Sequence, residues 1–398
     1  MKNDLDRQLT ELLSEDPAAI IERERTAFDH LAGARGKSLV LFGAGGQGKR
    51  TLSCLRSLGI EPLAFVDNNS AAWGKAVDGL QVLSPDEAVR RFGTFAVFIV
   101  TIWRDIGGHP VEEIRAQLTD YGDVCVISVG FLYWKYPEIF LPYFYCDLPH
   151  KTLKQRKQVI QGMQLWCDEA SRQEYLAQIG LRLRLDFQGL PLKVNWPAYL
   201  PEGLFTLNSN EVFVDCGAFD GDTLRDYIQK QNDRFKRYIA FEPDQVNFLK
   251  LNEYRNSLPE TIKPKVTIAN SAIGNHNGMV LFAAAGTAQS AISTTDGVQV
   301  PISTLDELLN ETAPTYIKMD IEGAEVEALL GARECIRINR PILAICVYHC
   351  FDHLWRLPQL IHSLSENYHF FLRPHRDAGW DLVCYAVPVE RMNSNAVK

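Results

Sequence analysis

The chain has 398 residues, 46% hydrophobic and 23% charged, with a formal net charge of −8. That balance suits a folded chain with room for two domains and argues against a general nucleic-acid surface, which needs clustered Lys and Arg. No apolar run is long enough to span a bilayer, and the opening stretch mixes acids, bases and Leu without the apolar core of a signal peptide. The nine cysteines are scattered without a CxxC pair. They predict reduced, mostly buried thiols in a cytoplasmic protein, with Cys346 and Cys350 as packed thiols rather than a metal pair.

Residues 1–33 carry Leu5, Leu9, Leu12 and Leu13, then Ile20, Ile21 and Phe28, at helical spacing. They predict an arm of one or two amphipathic helices. Residues 34–130 alternate strand-like runs ("SLVLFGAG", "EPLAFVDNN", "FAVFIVTI", "VCVISVG") with helical ones, the pattern of a small parallel sheet covered by helices. Its first turn, "LVLFGAGGQGK", sets Gly43, Gly45 and Gly48 in a G-x-G-x-x-G pattern between strand and helix, where backbone can approach a diphosphate. Asp67, closing the next strand, stands where a ribose hydroxyl would be held. This second nucleotide site is weakly specified, and a glycine turn that merely packs is nearly as good a reading.

Residues 131–200 form a linker: an aromatic and proline-rich run, "FLYWKYPEIFLPYFYCDLP", expected to pack between domains, then a polar helix over about 151–179. Residues 201–398 repeat the α/β logic and finish in two strand runs, "YHFFLRPH" and "DLVCYAVP", that predict a hairpin beside an otherwise parallel sheet. The expected fold is therefore α/β, with two Rossmann-like doubly wound domains, the second a seven-stranded sheet ending in that hairpin.

The second glycine turn, "EVFVDCGAFDGDT", is lined with Asp215, Asp220 and Asp222. Acids would repel a diphosphate but suit the sulfonium and ammonium of S-adenosyl-L-methionine, whose carboxylate the N–H groups of the Gly217 turn could take. Glu242 ends the next strand and can accept both ribose hydroxyls, while "NSAIG" at 270–274 is placed to border the adenine. These strand ends make Asp215, Gly217, Ala218, Phe219, Asp220, Glu242, Pro243, Ser271, Ala272 and Asp320 the candidate cofactor contacts. Phe219, Trp196 and Tyr199 are candidate walls, and the small-residue run 283–294 a candidate covering loop.

Residues from about 195 to 390 resemble the FkbM-type S-adenosylmethionine-dependent methyltransferases, through "VDCGAFDGDT", "AFEPD", "NSAIGNHNG", "ISTLDELL" and above all "IKMDIEGAEVEALLGA". The first domain and the aromatic linker lie outside the usual family core. The resemblance implies methyl transfer to hydroxyls of small molecules, sugars or nucleotide sugars. The N-terminal module, which looks like those preceding sugar acyltransferases, would then hold substrate or make a homo-oligomer contact.

At the chemical end, Asp320 closes a strand, Glu322 sits at the bend, and His349 closes the following strand. A histidine of ordinary pKa, about 6.5, suits removal of a hydroxyl proton near neutral pH, with Asp320 orienting it or acting as base. Asp320, Glu322 and His349 could instead hold Mg²⁺, but the spacing is not diagnostic and the metal-free reading is preferred. Glu325 fits the helix N-terminus, and Lys318 is expected to pair with one of the acids. The alternatives from other classes are a nucleotide-sensing protein with a degenerate methyltransferase half, and a nicotinamide oxidoreductase built on the first turn.

Overall fold

The computed structural model describes residues 2–102, 110–191, 193–194, 197–283, 291–293, 297–376, 379–393 and 396. Trp196 and most of the 283–294 loop lie outside these residues. The first sheet comprises β1 (Leu39–Phe42), β2 (Ala64–Val66), β3 (Ala76–Val77), β4 (Leu80–Leu83), β5 (Val97–Val100) and β6 (Cys125–Ser128), in the order β3-β4-β2-β1-β5-β6. All neighbours are parallel except β3, a short antiparallel edge on β4. β1, β2 and β5 are buried throughout, which explains why they appear as unbroken apolar runs and not as alternating ones.

The second sheet is built from β7 (Val212–Cys216), β8 (Arg237–Phe241) and β9 (Val266–Ala269). After a smaller four-stranded sheet of β10 (Ala272–Ile273), β11 (Gly278–Ala283), β12 (Ala291–Ser293) and β13 (Val298–Ser303), it continues with β14 (Tyr316–Met319), β15 (Ile342–Cys346), β16 (Tyr368–Pro374) and β17 (Leu382–Pro388). Its order is β16-β17-β15-β14-β7-β8-β9. The terminal pair is antiparallel as expected, and β17 inserts between β15 and β16, so β17 alone runs against the sheet. Register stacks Tyr316, Phe213 and Tyr238 across β14, β7 and β8, with centroids 4.5 and 4.9 Å apart.

Asn270 turns the chain between β9 and β10, its side-chain amide donating to the Glu242 and Pro243 carbonyls at 2.8 and 3.1 Å. The linker helix is three, Pro149–Lys154, Arg156–Leu165 and Glu169–Arg184, because Trp166 makes a bridge to Phe370 of β16 and Asp168 caps the last helix. The N-terminal segment forms helices Lys2–Leu12 and Pro17–Ala32, and Asp6 pairs with Arg172 of the linker at 2.6 Å. The aromatic run packs between the two sheets' surroundings. Arg50 donates to the Phe140 carbonyl at 2.7 Å and lies 3.9 Å over the Tyr143 ring, and Tyr143 in turn contacts Trp380. Among the described residues, no helix is long and apolar enough to cross a membrane.

Candidate active site

The carboxyl ends of β7, β8, β9, β14 and β15 open into one cavity of about 640 Å³, walled by Gly217, Phe219, Glu242, Pro243, Ser271, Ala272, Tyr199 and Asp320 among others. Why the backbone turns here is clearest at Gly217. Its φ is +82°, and a Cβ would collide with the carbonyl oxygen of Asp320, so β7 and β14 can end this close together only if glycine stands there.

Glu242 is 5% exposed. Its two carboxylate oxygens accept the backbone N–H groups of Phe219 and Asp244, each at 2.8 Å, tying the glycine turn to the end of β8. Burial pushes its carboxyl up to about 7, against those two donors. The remaining lone pairs can serve a diol at the cavity wall. Asp67 holds the first turn in the same way, accepting Ala44 and Asn69 N–H at 2.9 and 2.8 Å. Gly43, Gly45, Gly48 and Asp67 do not line the cavity.

The structure relocates several predicted contacts. Asp215 lies under the cavity, fully buried, with Lys318 at 2.9 Å and the Tyr238 hydroxyl donating to it at 2.6 Å. It therefore sets the lysine and does not face a ligand. Asp220 is paired with Arg225, and Ala218 is buried; neither lines the cavity. The N–H groups of Gly217 and Ala218 both donate to the Phe241 carbonyl, at 2.9 and 3.0 Å, and that of Phe219 to Glu242. These three donors are consumed inside the fold, so they do not receive a ligand carboxylate. Lys318 lines the cavity, donating to the Gly217 carbonyl at 2.6 Å.

At the other end Tyr199 donates to Asp320 Oδ2 at 2.8 Å. His349 has a side chain 1% exposed; Nε2 lies 3.2 Å from Asp320 Oδ1 and 3.8 Å from Glu322, while Nδ1 lies 2.7 Å from Glu325. Glu325 also approaches His353 at 3.3 Å. Burial penalises a charged imidazole, yet Glu325, Asp320 and Glu322 together hold the His349 proton well above the ordinary histidine range. The ordinary histidine pKa expected from the sequence does not fit these surroundings, in which three carboxylates favour the protonated ring. The cause is Glu325, which the sequence suggested as a helix-end acid but which is fully buried between two histidines. Burial also pushes the Glu322 carboxyl up to about 8, whereas His349 and Lys318 outweigh burial at Asp320 and hold it well below the usual range.

Further lining residues escaped the sequence reading. Phe144 reaches the cavity from the aromatic linker, with φ +49°, and Trp380 and Asp381 enter from the connection between β16 and β17. Phe144 and Trp380 meet edge-on at 4.8 Å, with Tyr348 at 6.0 Å from Trp380. The density of rings in 131–149 was the available signal.

Residues 215–372 match the family model described as the methyltransferase FkbM domain. Over 97% of its length this chain is similar in structure to a methyltransferase FkbM from Methylobacillus flagellatus KT, covering 99% of that chain with a TM-score of 0.79 at 23% identity. A UDP-D-quinovosamine 4-dehydrogenase from Vibrio fischeri matches at 18% identity over 23% of this chain and 75% of that one, and its TM-score of 0.18 supports no comparison. No curated protein matches the chain. By that family match residues 215–372 carry a methyltransferase FkbM domain, and the similar solved structure bears out the fold of the chain around it.

Proposed function

We propose that the protein transfers the methyl group of S-adenosyl-L-methionine to a hydroxyl of a sugar, nucleotide sugar or other small metabolite. The observation that carries this reading is Glu242, a nearly buried carboxylate on the cavity wall at the end of β8, on the same cavity as Asp320 at the end of β14. Glu242 accepts the ribose hydroxyls, and Ser271 and Ala272 border the adenine. Asp222 and Asp226, also on the wall, supply negative potential for the ammonium and sulfonium. The acceptor enters beside Asp320 and Glu322, against the faces of Phe144, Tyr348 and Trp380. Rings next to Arg376 and Asp381 suit a polar molecule with an apolar face, which favours a sugar-like acceptor.

In the transfer the C–S bond would break with its electron pair on sulfur as the C–O bond forms, and the hydroxyl proton would pass to the Glu322 carboxylate, the more basic of the two acids at the cavity wall. In-line alignment of sulfur, methyl and oxygen supplies the larger share of the acceleration, roughly 7–11 kcal/mol. Calorimetric titration of the purified protein with S-adenosylhomocysteine should give one site per chain; absence of heat at millimolar ligand would refute the proposal.

A further inference from the structure

Asp320, Glu322 and His349 are candidate ligands whose donor atoms all lie within 4.8 Å of one another. Acids in a group do not by themselves make a cation site, but His349 adds an independent feature. Its side chain is 1% exposed, and Nε2 makes no well-aligned hydrogen bond although it is aimed at the two carboxylates. Asp320 Oδ1, facing it at 3.2 Å, is likewise without a hydrogen bond, because Tyr199 occupies Oδ2. On the far side of the ring Glu325 holds Nδ1 at 2.7 Å, the carboxylate–histidine arrangement that orients an imidazole toward a metal. Lys318, a cation on the same wall, is committed to Asp215 and to the Gly217 carbonyl.

From this we infer that Asp320, Glu322 and His349 bind one divalent cation, of the Mn²⁺ kind that accepts mixed nitrogen and oxygen donors, which takes the place of the proton on Nε2. With bonds of about 2.1 Å, neighbouring ligands of such an ion stand roughly 3.0–3.4 Å apart. The observed 3.2 and 3.8 Å from Nε2 lie in or close to that range, and the Asp320 and Glu322 donors stand within 4.8 Å of each other. Three protein ligands leave positions open toward the cavity, where an acceptor oxygen would bind and lose its proton more readily. That use of the ion rests on the methyl transfer proposed above; the site itself does not.

The test is Mn²⁺ titration of the full chain, stripped with a chelator and desalted, read by the electron paramagnetic resonance of free Mn²⁺. One ion per chain is expected. Affinity should fall at least tenfold in His349→Ala and in Glu322→Gln, and about 10–100-fold in Glu325→Gln, which keeps all three ligands but loses the orienting carboxylate. Thermal unfolding of each variant reports whether it is folded, and Glu322→Gln, at the cavity wall, covers the case in which the buried variants are not. Less than one ion per chain at millimolar Mn²⁺, or unchanged binding in folded Glu322→Gln, overturns the inference. S-adenosylhomocysteine calorimetry on the same samples separates the two readings, since nucleoside binding without Mn²⁺ binding refutes only the cation site.

Discussion

Glu242→Gln separates the binding role of this carboxylate from its structural one. The carboxyl is pushed up by burial from 4.5 to about 7. Between those values the folded protein keeps a proton that the unfolded chain has lost, so stability falls as pH rises through the window, by roughly 3 kcal/mol in all. Gln removes that penalty. It also sets an amide N–H against one of the two donors now satisfied by the carboxylate, those of Phe219 and Asp244, a loss of about 1–3 kcal/mol. The two effects nearly cancel at pH 8, and the thermal midpoint should move by only a few degrees. Ligand affinity has no such compensation. Losing a hydrogen bond to a charged acceptor removes about 1.5–3 kcal/mol, or roughly 10–150-fold in the Kd for S-adenosylhomocysteine. The wild-type affinity should itself rise with pH through about 7, as Glu242 ionises, and the variant's should not. Calorimetry between pH 6 and 8 reads both. A Kd within threefold of wild type, with the same pH profile, would refute the placement of a ribose on this carboxylate.

Gly217→Ala puts a methyl group against the Asp320 carbonyl at a φ of +82°; urea unfolding should show a loss of roughly 2–4 kcal/mol, and nucleoside binding should weaken with it. Glu174, buried on the linker helix, has its carboxyl pushed up to about 7 by burial. Glu174 should therefore contribute about 3 kcal/mol to the decline of native stability from pH 4.5 to 7, and Glu174→Gln should make that slope shallower and be the more stable protein at pH 8; parallel wild-type and variant curves would show the reasoning wrong. Arg50→Ala loses both the bond to the Phe140 carbonyl and the stack on Tyr143, about 2 kcal/mol, visible as a lower thermal midpoint.

Local information suffices for much of this protein. Buried strands appear as apolar runs, glycine turns follow them, and helices begin at capping acids such as Asp244, which accepts the N–H groups of Val246 and Asn247. Each signal lies within a few residues of the element it specifies, so both sheets and the carboxyl-end position of Glu242, Ser271 and Asp320 could be read before any coordinates. What a carboxylate touches is another matter. Asp215 and Glu242 look alike in sequence, each closing an apolar strand. One meets a lysine from β14 beneath the cavity, and the other remains on its wall. Glu325 resembles a helix-end acid until β15 brings His349 and the following helix brings His353 against it. Phe144 reaches the cavity from more than 70 residues upstream of Gly217. Proton affinity, pairing and cavity shape depend on groups far apart in the chain that meet only after folding, and so they belong to the tertiary structure.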